Sequence, residues 1–359
     1  MFLHREILPR VIFSPGQLAL DLVSGLQNLG ADVTLFSPGP VDTPVKSINA
    51  DLSYFEAELA GRGDTYLDLL KKHPFTFVTL ARQVQAELVA GAIARANAGE
   101  FDILHIYTNE EDLALPMAQL CKVPVVFTHH DPFNFLVKYK NVFPKYKHLN
   151  WVSLSLAQRA GMPADTNWAA NIYHGLDAAR FAPVAVPSND YVAYMGRIIQ
   201  SKGLHLAIAA AKKAGLPLRI AGKHYAGKKD DYWQSAIEPQ LGAGVEYVGF
   251  LVTDAQKRDF LANAKALIVP SLFDEPFGMV SIEALACGTP VIALNSGALP
   301  EVVAQKTGIV VDKYDAVNGL AAAMRNVGAI SRAACRDDFE RRFTVERMCR
   351  EYLAAYRQV

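Results

Sequence analysis

The chain has 359 residues, 51% of them hydrophobic, which is enough for two domains with a core in each. Lys plus Arg and Asp plus Glu both number 36, so the formal net charge of +0 gives no global attraction to nucleic acid or to an anionic membrane, although a local patch could. The start, MFLHREILPR, lacks the apolar run of a signal peptide, and no window reaches the roughly 18 apolar residues of a membrane span. We therefore expect a cytoplasmic protein without integral membrane segments.

The cysteines give no sign of a disulfide framework or a metal site. Cys121, Cys287, Cys335 and Cys349 lie far apart and show neither CxxC nor Cys/His ligand spacing. This pattern favours reduced, mostly buried thiols in a cytoplasmic protein.

Short β-branched or aromatic runs alternate with longer segments of helical period. Several of the runs are apolar on consecutive positions, which is typical of parallel strands covered on both faces. Helices are predicted at Leu18–Asn28, which ends at Gly30, and at Leu204–Ala214, which ends at Gly215. The pattern predicts parallel sheets with crossover helices. The predicted strands are 32–36, 102–107, 123–129, 150–155, 191–196, 217–222, 245–250, 265–271 and 289–294.

A proline-containing segment without clear periodicity, 179–190, divides this series into two sets and is the predicted linker. We expect two Rossmann-like, doubly wound α/β domains with an interdomain cleft. Ligands of such sheets bind beyond the carboxyl ends of the strands.

The segment YMGRIIQSKG (194–203) has the properties of a diphosphate site. A predicted strand ends in Gly196-Arg197, and Lys202-Gly203 opens a helix. Two cations and two glycines beside a helix N-terminus suit a diphosphate. The alternative is that Arg197 and Lys202 are solvated loop charges.

The segment EPFGMVSIEALACGTPVIA (275–293) places two glutamates about a predicted helix, Met279–Ala286. Glu283 is five residues beyond Gly278, about 7.5 Å along the axis, so one elongated ligand could reach both Glu275 and Glu283. Ionised carboxylates only accept hydrogen bonds, which suits sugar and ribose hydroxyls. The alternative is that Glu275 only interacts favourably with the positive end of the helix dipole and that Glu283 faces solvent. Glu283 has apolar neighbours in the sequence, which is less typical of a solvent-facing position.

Gly-Arg-x-x-x-x-Lys-Gly at 196–203 followed by Glu-Pro-Phe-Gly-x-x-x-x-Glu-Ala-x-Ala-x-Gly-x-Pro-Val at 275–291 resembles the retaining glycosyltransferases of family 4, which have the GT-B fold. The resemblance implies that Arg197 and Lys202 hold the donor diphosphate, that Glu283 binds the ribose, and that Glu275 holds the transferred sugar. It implies further donor contacts from Gly16, Gly196, Gly222, Lys223, Gly249, Phe250, Leu251, Phe277, Gly278, Met279 and Val280.

The first half matches less sharply. FDILHIY resembles the family's Asp-x-x-His strand at His105, and PVVFTHHDP resembles the strand whose final histidine binds the transferred sugar. Counting from Pro124 places that histidine at His130, with His129 as the alternative. A purely structural histidine in the core or in a loop is the alternative to a sugar-binding role. The family's first strand and paired-glycine loop are reduced here to MFLH and Gly16, so the strand is shortened or the chain begins inside it.

The segment 134–148 interleaves lysines with aromatic residues. It suits an anionic acceptor or a peripheral membrane contact, with Lys138 and Lys140 as acceptor-binding candidates. The favoured alternative is a face of lysines lying over core aromatics.

The resemblance to family 4 implies a retaining hexosyltransferase, which we expect to be metal-independent. The donor would be a UDP-, GDP- or ADP-sugar, the acceptor a glycan, a lipid or a small molecule, with no cofactor. His130, Glu275, Arg197 and Lys202 are the predicted catalytic residues. Metal independence is expected because the chain has no Asp-x-Asp triplet and two cations can neutralise the leaving diphosphate.

The predicted domains are an acceptor-binding domain (1–176), a donor-binding domain (177–344), and a C-terminal helix (345–359) that packs back on the first. Two rival functions share this architecture: a sugar-nucleotide epimerase, and a nucleotide-sugar-binding protein without activity.

Overall fold

A computed structural model describes residues 14–107, 111–224 and 231–359. The described chain forms two compact units. The first contains the chain up to Leu154, Arg159–Ile172 and Met348–Val359, and the second contains Ser155–Gln158 and Tyr173–Arg347. The predicted binding roles and boundaries of the domains stay predictions, and the predicted first strand lies outside the described residues.

The first unit contains a parallel sheet and a separate strand pair. The sheet has the order β3-β4-β5-β6, and its strands are β3 (Leu104–Ile106), β4 (Val125–Thr128), β5 (Asn150–Ser153) and β6 (Trp168–Asn171). The parallel pair is β1 (Thr34–Ser37) with β2 (Lys46–Asn49). The helices of this unit are α1 (Ser14–Asn28), α2 (Ser53–Arg62), α3 (Tyr66–Lys72), α4 (Pro74–Asn97), α5 (Glu111–Ala118), α6 (Val137–Val142) and most of α13 (Val345–Tyr356).

An apolar cavity of about 260 Å³ lies inside the first unit. It is lined by α1, α4 and residues of both β1 and β3, which do not pair with each other. Hydrophobic side chains dominate its wall, with Gln85 among the few polar ones.

The C-terminal helix α13 is tied to this unit by polar contacts. The Tyr356 hydroxyl lies 2.6 Å from His105 Nδ1, and the Tyr352 hydroxyl lies 3.1 Å from Thr128 Oγ1. Burial lowers the pKa of His105 to about 3, so the imidazole is neutral and serves as a structural hydrogen-bonding group.

The second unit contains a six-stranded parallel sheet with the order β12-β11-β10-β7-β8-β9. Numbered from its own first strand, this is the 3-2-1-4-5-6 order of the doubly wound dinucleotide-binding fold. Its strands are β7 (Val192–Met195), β8 (Leu218–Ala221), β9 (Val245–Gly249), β10 (Ala266–Val269), β11 (Val291–Leu294) and β12 (Gly308–Val311). Its helices are α7 (Leu204–Ala214), α8 (Asp254–Ala262), α9 (Met279–Ala286), α10 (Leu299–Val302), α11 (Ala316–Asn326) and α12 (Arg332–Arg342).

The apolar runs explain the central strands of this sheet. All four residues of β10 (ALIV) and of β11 (VIAL) are buried, because helices cover both faces. All nine predicted strands are present, with ends that differ by at most two residues, and α7 and α9 have the predicted bounds. The linker segment 179–190 contains neither helix nor strand.

No helix in residues 14–107, 111–224 and 231–359 combines the length and the hydropathy needed to cross a bilayer. The four cysteines are free thiols, and all but Cys121 are buried.

Candidate functional site

The candidate site lies at the switch point of the second sheet. Strands β7 and β10 pair in parallel although β8 and β9 lie between them in the sequence. The chain leaves their carboxyl ends at Gly196 and Pro270, and the two sequence motifs follow directly. Switch points of this kind leave a crevice at the carboxyl edge of the sheet, where ligands bind.

Glycine at position 203 allows the two motifs to approach closely. Gly203 has a φ of +69°, and a Cβ atom there would lie 2.0 Å from the carbonyl oxygen of Pro270. It ends the single helical turn Gln200–Lys202 and precedes α7. Lys202 is thereby held beside the carboxyl end of β10.

Lys202 and Glu275 are in direct contact at this point. The Lys202 amine donates a hydrogen bond to Glu275 Oε1, and Ser271 Oγ donates a second one to the same oxygen at 2.7 Å. Glu275 is only 7% exposed, and the Lys202 amine also lies 5.3 Å from the centre of the Phe273 ring. Sequence reasoning missed Ser271 and Phe273; the position of Ser271, one residue past Pro270 at a strand end, was the available signal.

The loop that carries Glu275 is fixed through its main chain. Ala298 N donates to the Glu275 carbonyl oxygen at 2.8 Å, and Ser296 Oγ donates to the Phe273 carbonyl oxygen at 2.7 Å. On the other side, Leu272 N donates to the Ser201 carbonyl oxygen at 2.9 Å. The carboxylate is therefore held in place by its backbone as well as by its ion pair.

Arg197 occupies the same edge but points to solvent. Its side chain is exposed, and within the described residues its guanidinium makes no hydrogen bond or ion pair. The Tyr194 hydroxyl donates to the Arg197 carbonyl oxygen at 2.9 Å and so anchors the loop. The structure thus brings Lys202 and Glu275 together and leaves Arg197 available at the rim of the crevice.

The remaining predicted donor residues of β8 and β9 lie at the same edge of the sheet. Gly222 N donates to the Gly249 carbonyl oxygen at 2.9 Å, and Lys223, which follows, is exposed. Beyond β9, Phe250 is 43% exposed and Leu251 is half-buried.

Helix α9 begins where the sequence predicts. Gly278 is its N-cap with a φ of 96°, followed by the half-buried Met279 and Val280. Phe277 is buried, and its ring lies 5.0 Å from that of His174. The backbone N–H groups of this first turn are therefore fixed in direction.

Glu283 lies farther along α9 and is half-buried. Its carboxylate makes no hydrogen bond or ion pair within the described residues. Burial raises the pKa of Glu283, Lys257 opposes this shift and Asp254 adds to it. A partly desolvated carboxylate of this kind is suited to accept hydrogen bonds from ligand hydroxyls.

The two candidate histidines of the first unit have different surroundings. His129 is fully buried, its Nδ1 lies 3.2 Å from Glu111 Oε1, and the rings of Tyr139 and Phe143 pack against it. His130 keeps 8% exposure and packs on Tyr107, with ring centres 4.5 Å apart. His129 thus has the surroundings of a core histidine, while His130 stays the predicted ligand.

The other first-unit candidates also have defined places. Gly16 is buried in the first turn of α1. Lys138 donates to Asp112 Oδ1 at 2.8 Å, whereas Lys140 is exposed.

Residues 177–335, which contain this site, match the family described as "Glycosyl transferases group 1". The second unit is a group 1 glycosyltransferase domain. Over 208 residues the chain is 33% identical to a glycogen synthase of Mycobacterium tuberculosis, covering 52% of this chain and 48% of the synthase. It is 30% identical over 244 residues to a phosphatidyl-myo-inositol mannosyltransferase of Mycolicibacterium smegmatis, covering 63% and 62% of the two chains. The chain thus spans about half the length of the first of these relatives.

Solved structures are similar in fold over nearly the whole chain. Sucrose-phosphate synthase from Thermosynechococcus elongatus superimposes with a TM-score of 0.70 at 21% identity, covering 98% of this chain and 96% of the other. Anabaena HepE in complex with UDP and glucose superimposes with a TM-score of 0.69 at 17% identity, covering 97% and 96%. These likenesses confirm the predicted fold class, GT-B.

Proposed function

We propose that the chain is a retaining hexosyltransferase that uses a nucleotide-sugar donor, a UDP-, GDP- or ADP-sugar. The observation that carries the proposal is the contact of Lys202 with Glu275 at the switch point of the second sheet. A cation and a hydroxyl-binding carboxylate meet there, beside the start of α9, where a sugar diphosphate needs them. The group 1 domain and the UDP and glucose complex of HepE support this choice of donor.

In this proposal the cations bind the diphosphate. Arg197 is exposed at the rim and Lys202 is half-buried, so both can donate charge-assisted hydrogen bonds to phosphate oxygens. Glu275 then accepts from hydroxyls of the transferred sugar, with main-chain N–H groups of Gly278 and Met279 beside it, and Glu283 accepts from the ribose. The base lies against the loop at Gly249, Phe250 and Leu251.

The first unit contributes acceptor binding in the same proposal. His130 hydrogen-bonds the transferred sugar, and Gly16 lies beside the donor phosphate, as the family resemblance implies. The acceptor is a hydroxyl of a glycan, a lipid or a small molecule.

The reaction breaks the bond between the anomeric carbon and the diphosphate oxygen. The acceptor oxygen forms its bond to the same face of that carbon, and its proton passes to the leaving phosphate oxygen. Negative charge develops on the diphosphate, and Arg197 with Lys202 stabilises it, which is the main contribution of the protein. With both cations in place, the proposal requires no metal ion.

Donor binding also changes the partners of Lys202. The Lys202 amine is paired with Glu275, so a bound diphosphate would compete for the amine and would release one Glu275 oxygen for the sugar. Ser271 remains bonded to that oxygen and limits its movement.

The test combines a binding panel with turnover. Thermal unfolding with UDP, GDP, ADP and their sugars should show one stabilising base, since a ligand at about 100 times its Kd adds about 2.7 kcal/mol. Transfer or donor hydrolysis should be lost in Lys202→Ala. Lys212→Ala is the matched control, because Lys212 is exposed on α7 and its amine donates to Gln240 Oε1, away from the switch-point residues.

Equal activity in Lys202→Ala and wild type would overturn the proposal. A donor sugar changed at one carbon without any acceptor would identify an epimerase instead. Nucleotide binding without turnover across a broad acceptor set would identify a binding protein.

A further inference from the structure

An exposed apolar segment flanked by lysines lies on the first unit, immediately before and on α6. We define the α6 rim as Phe135, Leu136, Val137, Lys138 and Lys140. Phe135 is 55% exposed and Val137 is 77% exposed. Large apolar side chains on three consecutive exposed positions are uncommon on a protein surface without a partner.

The helix separates core-facing from outward-facing residues. Tyr139 and Phe143 are buried and pack around His129. The inner side of the helix therefore consists of core aromatic residues, as in the predicted alternative of a lysine face over core aromatics. Val137 and Lys140, three residues apart, share the outer face. The outer face therefore combines an apolar tip with a cation.

The charge around the rim is positive. Asp112 accepts from Lys138 at 2.8 Å and from Arg82 at 3.3 Å, so one largely covered carboxylate is shared by two cations. Lys140 is exposed beside them. Among residues 111–224, Asp131 is a second acidic group beside this helix, and its Oδ2 lies 3.5 Å from the Tyr139 hydroxyl.

The apolar surface continues onto α4. Phe75, Val78 and Arg82 are spaced by three and four residues, so they share one helical face. Phe75 and Val78 are both exposed. Because Arg82 and Lys138 meet at Asp112, this face adjoins the α6 rim.

We propose that the α6 rim docks on an anionic lipid surface, with Phe135, Leu136 and Val137 at the level of the acyl chains and the lysines at the headgroups. Apolar side chains inserted between cations are the combination that peripheral membrane segments use. The rim and its α4 extension comprise eight apolar or basic residues, whereas a standard protein interface takes about 20 to 30 residues on each side. This surface function uses none of the switch-point residues, so it does not depend on the proposed donor site.

The experiment is co-sedimentation of the full chain with vesicles of phosphatidylcholine alone and of phosphatidylcholine with phosphatidylglycerol. We expect binding to the anionic vesicles that weakens at high salt. Phe135→Ser with Val137→Ser should lower the partition coefficient at least about tenfold, and Lys138→Gln and Lys140→Gln should each lower it about fivefold. Leu120→Ser is the matched control, because Leu120 is 73% exposed at the opposite end of α5 from Asp112 and should leave binding unchanged.

A second measurement does not depend on the stability of the serine variant. Val137→Trp places a probe on an exposed position, and its fluorescence should shift to shorter wavelength on anionic vesicles. No binding at low salt, binding equal on both vesicle types, or an unshifted Val137→Trp spectrum on bound protein would overturn the proposal. A self-associating wild type that becomes monomeric in the serine variant would also overturn it, since the rim would then join two copies of the chain.

Discussion

Lys202 and Glu275 lie 73 residues apart in the sequence, and their side chains form an ion pair at the switch point of the second sheet. Ser271 completes the contact by donating to the same carboxylate oxygen. The proposed donor diphosphate and the transferred sugar would divide this pair between them. The contact compensates both charges within the protein.

Ser271→Ala tests whether this hydroxyl positions Glu275. A hydrogen bond to a charged group is worth about 1.5–3 kcal/mol, so we expect kcat to fall about tenfold while the donor KM changes little. Steady-state kinetics with the donor identified by the binding panel measures both constants. Ser201→Ala is the control, since its hydroxyl is exposed and only its carbonyl oxygen bonds the loop; an unchanged kcat in Ser271→Ala would exclude the positioning role.

Glu283→Gln separates donor binding from turnover. Glu283 would touch only the ribose, so the variant should weaken donor affinity and leave kcat at saturating donor nearly unchanged, whereas Glu275→Ala should lower both. Calorimetric titration and initial rates distinguish the two patterns. Glu246→Gln, an exposed glutamate paired with Arg219 on β8 and β9, should change neither.

Glu283→Gln should weaken donor binding but raise the stability of the folded protein. Because burial raises the pKa of Glu283, the folded state binds more protons than the unfolded state between the ordinary carboxyl pKa and the raised one, so stability falls as the pH rises through this window. At neutral pH the charge therefore destabilises the fold, and Glu283→Gln should melt at a higher temperature than wild type, by about 2–4 °C for each kcal/mol regained. This advantage should vanish in melts below the unfolded carboxyl pKa, and a lower Tm at pH 7 would contradict the assignment.

Local patterns predicted much of this fold, but they missed strands that are polar or very short and a contact that depends on strand pairing. Helices α7 and α9 were predicted to the residue because their apolar spacing ends at clear glycine signals, Gly215 and Gly288. Strand β2 (KSIN) was missed because it is polar and largely exposed, and β12 (GIVV) is too short to separate from a loop by composition. Motif spacing indicated Lys202 and Glu275, but their contact follows from the parallel pairing of β7 with β10, which no local pattern encodes.

Asp338→Asn should reveal an acid-sensitive element of the second unit. Burial raises the pKa of the Asp338 carboxyl, but hydrogen bonds from Arg341 at 2.5 Å and Arg342 at 2.9 Å outweigh it and the pKa is lowered. A lowered pKa adds stability that is complete above the unfolded value near 3.8 and is lost as the pH falls through the folded value. At pH 7 the variant should lose about 1.5–3 kcal/mol, the range for hydrogen bonds to a charged group, because its Arg341 and Lys306 partners are exposed.

Denaturant melts over a pH series measure this difference. The gap between Asp338→Asn and wild type should close as the pH falls toward the folded pKa. Asp337→Asn is the neighbouring control, because Asp337 is exposed and should cost less than about 0.5 kcal/mol. A gap independent of pH would mean that packing, and not ionisation, accounts for the loss.

Gly297→Ala should damage the candidate site through its backbone. Gly297 has a φ of +53°, and a Cβ atom there would lie 2.3 Å from the Glu275 carbonyl oxygen and 2.5 Å from its nitrogen. The added methyl group must displace Glu275, so we expect both a lower Tm and a loss of kcat of at least about tenfold, because a shift of about 1 Å in a catalytic group can cost 100-fold.

Gly215→Ala supplies the matched control for this last effect. Gly215 has a similar φ of +71°, but no atom lies within 4 Å of the position its Cβ would take. It should therefore lose only the left-handed backbone preference, about 1 kcal/mol, with unchanged kinetics. If both variants lose the same stability and both keep full activity, the close approach of Gly297 does not hold Glu275 in place.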